Sequence, residues 1–386
     1  MATFFKPFRS IAQGNATRAA IIIIASTAFL QACSGSGKRP EPTPLGANTA
    51  LLGVRQAWVN RVGEPPLGAQ PAVVGGVVVI AAVDGTVLAL DAATGRDQWR
   101  GNAGGSLATG AGFDGTLAAV VTRSNEVVAL DGGKELWRTK LAAQAFTAPL
   151  VAGGRVFVLA ADRSVSGFDG STGRLLWTQK RPGEPLVLKQ PGTLLAVGDT
   201  LVAGLSGRLV GLNPNTGAVR WDAAIATPRG TNEIERLVDM VGRASRVGDS
   251  VCVRAYQAAV GCVNAARGTL DWTKPALGTQ GLHGDEGLVL GTESDGKITA
   301  YKRADGERAW GSDRLQYRSL SAPLVLGRSV VIGDSTGLVH LLSRADGSPL
   351  NRLNTDSSGI FAAPVQAGDI LIVVTRNGGV YGFAPE

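Results

Sequence analysis

The 386-residue sequence predicts an all-β fold, an eight-bladed β-propeller of four-stranded antiparallel blades. Three observations carry that expectation. A unit of strand, tight turn and strand ending in tryptophan recurs with a period of about 42 residues, the length of four short strands and their turns. Glycine is abundant, at 53 residues, and clusters with Asp and Asn in turns between short Val, Leu and Ala runs, while helix signals are missing over long stretches. The last repeat lacks a fourth strand, and a lone tryptophan-bearing strand precedes the first.

The unit is plainest at 85–99, GTVLALDAATGRDQW. Val87 to Leu90 is apolar throughout, as in a strand covered on both faces. Asp91 can accept hydrogen bonds from the backbone two or three residues on, and Gly95 can take the positive φ that reverses the chain. Trp99 then offers a flat ring to wedge against a neighbouring sheet. Copies stand at 127–137, 165–177, 209–221, 260–272 and 298–310; a seventh, 339–351, ends in Asn351, and an eighth starts at 379–383. Trp58, Trp99, Trp137, Trp177, Trp221, Trp272 and Trp310 are all the tryptophans of the chain, and their fixed place in the unit makes them blade-docking residues, not a ligand platform. The segment 56–61 (QAWVNR) supplies the strand missing from the last repeat, so the amino-terminal strand of the mature chain is expected to close the ring.

Three segments follow from composition. Residues 1–32 carry Lys6, Arg9 and Arg18 before the apolar run 19–30, too short to span a bilayer of roughly 30 Å as a stable helix, and read as an export signal. Leu30, Gln31, Ala32 and Cys33 resemble a bacterial lipobox, which makes Cys33 the lipidated first residue of the mature protein. Ser34 follows it, and by resemblance to lipoprotein sorting the absence of Asp there implies the outer membrane, with the protein facing the periplasm. Residues 33–50, rich in Ser, Gly and Pro, read as a flexible tether, and 51–386 as the propeller. Net charge is +7, of which the leader supplies three, and without basic clusters the remainder gives no nucleic-acid footprint.

No catalytic, metal or cofactor constellation stands out. Cys252 and Cys262 lie on adjacent strands around the turn at Tyr256 and Gln257, placed either to form a cross-strand disulfide or to remain as buried thiols. Their spacing is not that of a zinc site, and with two histidines and no nucleophile elbow a Ser-His-acid triad has no support. Asp91, Asp131, Asp169, Asp305 and Asp346 recur at one repeat position and read as turn residues. The repeat resembles that of quinoprotein dehydrogenases, which implies, as the competing function, a periplasmic enzyme dependent on pyrroloquinoline quinone or another small-ligand-binding propeller. The adjacent cysteine pair of those enzymes is missing here, as is an evident set of acid and amide ligands for their calcium.

Two segments break the repeat. The interval from Trp221 to Trp272 is the longest, with the excess at 227–243, and 182–191 is also irregular. Each runs from an outer strand to the next blade's inner strand, so both should emerge side by side on one face of the disc. Exposed Leu186 and Leu188 beside Lys189, facing Arg236, Leu237 and Asp239, have the composition of a protein-binding patch. The leader, the eight repeats, the stretch 230–239 (GTNEIERLVD), and the motifs 331–337 and 356–359 together resemble the BamB family of the outer-membrane β-barrel assembly (BAM) machinery across essentially the whole mature chain. The resemblance implies a non-enzymatic lipoprotein scaffold without cofactor that binds the POTRA domains of BamA, alongside the other BAM components, and helps unfolded outer-membrane clients to insert. It assigns partner binding to Leu186, Leu188, Lys189, Arg236 and Asp239. Two departures matter: Lys189 replaces the family's arginine, a fork reduced to a point charge, and Val241 occupies a second acidic position.

Overall fold

The structure is a computed structural model that describes residues 1–2, 40–181, 186–360 and 362–386; the leader and Cys33 lie outside the described residues. Residues 42–386 form one compact unit. Among the described residues it contains eight antiparallel four-stranded sheets. The first blade runs Ala72–Val74, Val77–Ala81, Thr86–Asp91 and Asp97–Asn102 from the axis outward. The eighth is Val365–Ala367, Ile370–Val374 and Gly379–Pro385, completed by the amino-terminal strand Val54–Arg61, and its innermost strand lies beside that of the first blade. The ring is closed as the sequence predicts, with no open edge between its two ends.

The continuous apolar runs are explained by what lies on either side of a blade. Val78, Ile80, Leu88 and Leu90 pack against Ile372, Val374 and Val380 of blade eight. The alternate residues Val79, Ala81, Val87 and Ala89 pack against Ala118, Val120, Val128 and Leu130 of blade two. Side chains alternate across a strand, and both faces of this blade are covered, so Val78–Ala81 and Val87–Leu90 of its middle strands are apolar at every position. Each fully buried Leu or Val contributes roughly 1.5–3 kcal/mol.

The outer strands carry a feature the repeat does not show. In all eight blades their pairing slips by one residue immediately before the tryptophan, or before Asn351 in blade seven; Ala89 faces Trp99 while Leu90 faces Asp97, and Gln98 is extruded. A bulge re-aims the side chain that follows it. The indole is thereby turned onto the turn of the next blade, where Trp137 Nε1 donates to the Gly170 carbonyl at 2.7 Å and Trp58, Trp177, Trp272 and Trp310 donate to Ala92, Pro214, Arg303 and Arg344. The turn glycine is doubly constrained: Gly173 has φ of 71°, and a Cβ there would fall 2.5 Å from the Trp137 ring.

The turn acids divide into two places. Asp91 and Asp169 open the turn and accept from Thr94 and from Ser171 and Thr172; those hydroxyl and amide bonds hold the Asp169 carboxyl down at about 2. Asp305 and Asp346 sit three residues further along, because Lys302 and Ser343 occupy the opening position. Both places serve the turn, but the acids do not share one repeat position.

The described part of the expected tether is not free. Thr43 N donates to Gln316 O, Leu45 packs on the cluster around Leu315 and Leu320, and Asn48 bonds Asn351 and the Arg352 carbonyl. Leu45 supplies the apolar anchor, and backbone hydrogen bonds lay residues 42–51 along blades six and seven. Cys252 and Cys262, directly paired across the strands Ser250–Ala255 and Ala259–Asn264, form a disulfide buried in blade five.

Candidate partner-binding face

The two irregular segments are brought together. The first joins the outer strand Leu175–Lys180 of blade three to the inner strand Leu194–Val197 of blade four; the second joins Val219–Ala224 of blade four to Met240–Val247 of blade five. Leu188 N donates to Asp239 Oδ2 at 3.0 Å, which ties one to the other. A third element locks them: Arg163 Nη2 donates to the Leu186 carbonyl at 3.1 Å and lies 3.7 Å from Asp239 Oδ1. Beneath the junction is a cavity of about 60 Å³ lined by Val187, Leu188, Leu159, Leu205 and Met240.

This geometry changes the roles read from the sequence. Leu186 and Leu188 are half-buried, not exposed, because the segment is pinned down onto the rim by its backbone. Asp239 is likewise half-buried, with its two carboxylate oxygens turned to Arg163 and Leu188; it orders the face instead of projecting from it. Lys189 and Arg236 are exposed. Val241, at the second acidic position, is buried in blade five.

The segment around Arg236 is folded locally. Asn232 Oδ1 accepts from Glu235 N, and Glu235 Oε2 accepts from Thr231 N at 2.9 Å, a bond that also holds the Glu235 carboxyl below its usual range. Arg236 N donates to Asn232 O, completing a single turn that pushes Ile234, 74% exposed, outward at its tip. Leu67 and Leu277, on connections of the same class and therefore on the same face of the disc, are also exposed.

Sequence reasoning missed Arg163 and Ile234. Arg163 was legible: it stands in the hairpin turn between the second and third strands, where the other blades include Gly85, Gly296, Gly337 and Gly378. It adopts φ of 62° there while 7% exposed, a left-handed conformation costly for a long side chain. Ile234 gave no such signal, since its exposure depends on the turn made by Asn232 and Glu235.

The axial channel is the other place a ligand could occupy. Toward blades one to five it has a cavity of about 220 Å³ with Gly110, Pro149, Gly192, Gly242 and Arg243 in its wall. Among the described residues no three His, Cys, Asp or Glu side chains group as a metal site. A quinone with its metal does not fit this donor set: the only two described cysteines are joined in blade five, and the wall supplies one arginine and no carboxylate.

Comparison with known proteins follows this architecture. A family model described as outer membrane protein assembly factor BamB matches residues 53–110 and 83–312. The curated BamB of Burkholderia pseudomallei is 38% identical over 373 residues, covering 95% of this chain and 98% of that protein. The crystal structure of BamB from Moraxella catarrhalis superposes with a TM-score of 0.79 at 25% identity, covering 86% of this chain and 99% of that one. The quinohemoprotein alcohol dehydrogenase of Comamonas testosteroni, at 14% identity and a TM-score of 0.66 over 89% of this chain and 79% of its own, shares the fold alone.

Proposed function

The chain belongs to the outer membrane protein assembly factor BamB family, and from that premise we propose that it is a non-enzymatic scaffold of the outer-membrane β-barrel assembly machinery. It is anchored by lipid on Cys33, faces the periplasm, and binds the POTRA domains of BamA so that unfolded barrel proteins are folded and inserted. The observation that carries the reading is the junction of the two irregular segments through Asp239, Leu188 and Arg163. An ordered, partly apolar face with charges at its edge can dock a folded partner without first losing loop entropy. In this arrangement Leu186, Leu188, Lys189, Arg236 and Ile234 meet the partner, while Asp239 and Arg163 hold the surface that meets it.

The test is co-purification of BamA from membranes with the lipidated protein and with the Leu188→Ala, Asp239→Ala double variant, each checked for folding. Retention by the wild type and loss by the folded variant are expected. A wild type that retains no BamA, or a folded variant that retains it fully, overturns the proposal.

A further inference from the structure

We propose that the axial channel binds a small oxyanion, a carboxylate or phosphate, at Arg243. Arg243 stands on the innermost strand of blade five, where pairing is interrupted between Val241 and Ser245 and Gly242 turns the chain with φ of 65°. The interruption is fixed from both sides: Gly242 N donates to Pro191 O, and Leu282 N donates to Arg243 O. From there the guanidinium passes blade six, and Nη2 donates to the Pro323 carbonyl before blade seven at 3.2 Å. Its Nε is out of contact with solvent and has no hydrogen-bond partner.

This cation has no acid beside it among the described residues. Arg254 is paired with Glu293, Arg181 with Asp222, Arg318 with Asp334 and Arg163 with Asp239. Arg303 has no ion-pair partner among the described residues either, but it donates to Ser245, Ser250, Cys252 and the Asp285 carbonyl. Among the described residues no carboxylate lies within ion-pair distance of Arg243. A titratable neighbour, His283, is neutral: burial, with Arg243 and Arg303 nearby, takes its pKa to about 3, and its Nδ1 accepts from Val325 N. Burial lowers the Arg243 guanidinium only to about 10, so it remains charged at neutral pH.

A half-buried charge without a counter-ion is costly, and a ligand that supplies the opposite charge relieves that cost. The adjoining cavity of about 220 Å³ takes roughly seven waters' share of volume, room for phosphate or a small polycarboxylate. Gln70 is at its wall, with Thr147 and Thr193.

The experiment follows thermal unfolding and titration calorimetry of the mature protein with phosphate and with citrate against chloride, at constant ionic strength. For the wild type the midpoint rises by equal steps for each tenfold excess of one of the oxyanions above its Kd, and calorimetry gives one saturable site. Arg243→Met is expected to be at least as stable as the wild type without ligand, since it removes the uncompensated charge, and to respond to neither anion. Arg267→Gln, which removes a surface charge outside the channel, keeps the response. The proposal is overturned if the wild type responds to neither oxyanion, or if a folded Arg243→Met responds as the wild type does.

Discussion

Arg163→Gly separates the stability of the ring from the order of the proposed partner-binding face. Four other blades have glycine at this turn position, so the backbone accepts the change, and relief of the left-handed arginine returns about 1 kcal/mol. Lost are the charge-assisted bond to the Leu186 carbonyl and the pairing with Asp239. With side chains 9% and 18% exposed and the pair at 3.7 Å, that loss is about 2 kcal/mol. Global stability should therefore change by no more than about 1 kcal/mol, while local opening of residues 186–193 becomes roughly 30-fold more frequent. Amide hydrogen exchange reads this directly. Leu188 N–H, held by Asp239, and Gly192 N–H, held by Thr147 Oγ1, should exchange roughly 30-fold faster, with Val78 and Leu88 in blade one unchanged. Unchanged exchange at Leu188, or equal acceleration in every blade, refutes the assignment of Arg163 as the clamp of this face.

Three further outcomes follow from the same bonds. Trp137→Phe forfeits the hydrogen bond to Gly170 as well as ring volume and should cost about 1 kcal/mol more, by urea unfolding, than Trp221→Phe, whose indole N–H has no partner to lose. Replacing Cys252 and Cys262 by alanine opens a loop of sequence separation 10 and should lower stability by about 2–3 kcal/mol, seen as a lower unfolding midpoint that reductant no longer shifts. For Asp334, burial favours the neutral acid, but bonds from His340 and Thr336 outweigh it and bring the carboxyl to about 2. Its folded value is below its unfolded one, so its contribution of about 2 kcal/mol is complete above pH 4 and is lost as pH falls toward 2; an Asp334→Asn variant should show a correspondingly flatter midpoint between pH 4 and pH 2.

The ring was legible because each of its determinants is local and repeated. Strand runs such as 77–81 and 87–90 are apolar at every position, and the glycine of each turn is fixed by backbone conformation. Closure was legible because Trp58 has the place in its strand that Trp99 has in the next unit. The bulge before each tryptophan was not, since one extruded residue leaves no mark on a single sequence and shows only as a slip against the partner strand. The docked course of residues 42–51 was hidden for a related reason: its composition is that of a linker, and the groups it bonds, Gln316, Leu350 and Asn351 among them, lie far away in the sequence.

The candidate sites obey a different rule, being written where the repeat is violated. Two irregular segments pointed to the candidate binding face, and their proximity followed from propeller topology before any side chain was placed. The direction of the side chains did not follow, because a carboxylate such as Asp239 can turn outward to a partner or inward to an arginine, and Arg163 decides which. That arginine was itself visible as a bulky residue at a glycine position. Arg243 was less so, because alternation assigns inner-strand residues to a face only while pairing is regular, and pairing fails at Gly242. In a fold whose regular positions are committed to packing, an arginine held where the ladder breaks, without an acid to answer it, is where a further ligand should be sought.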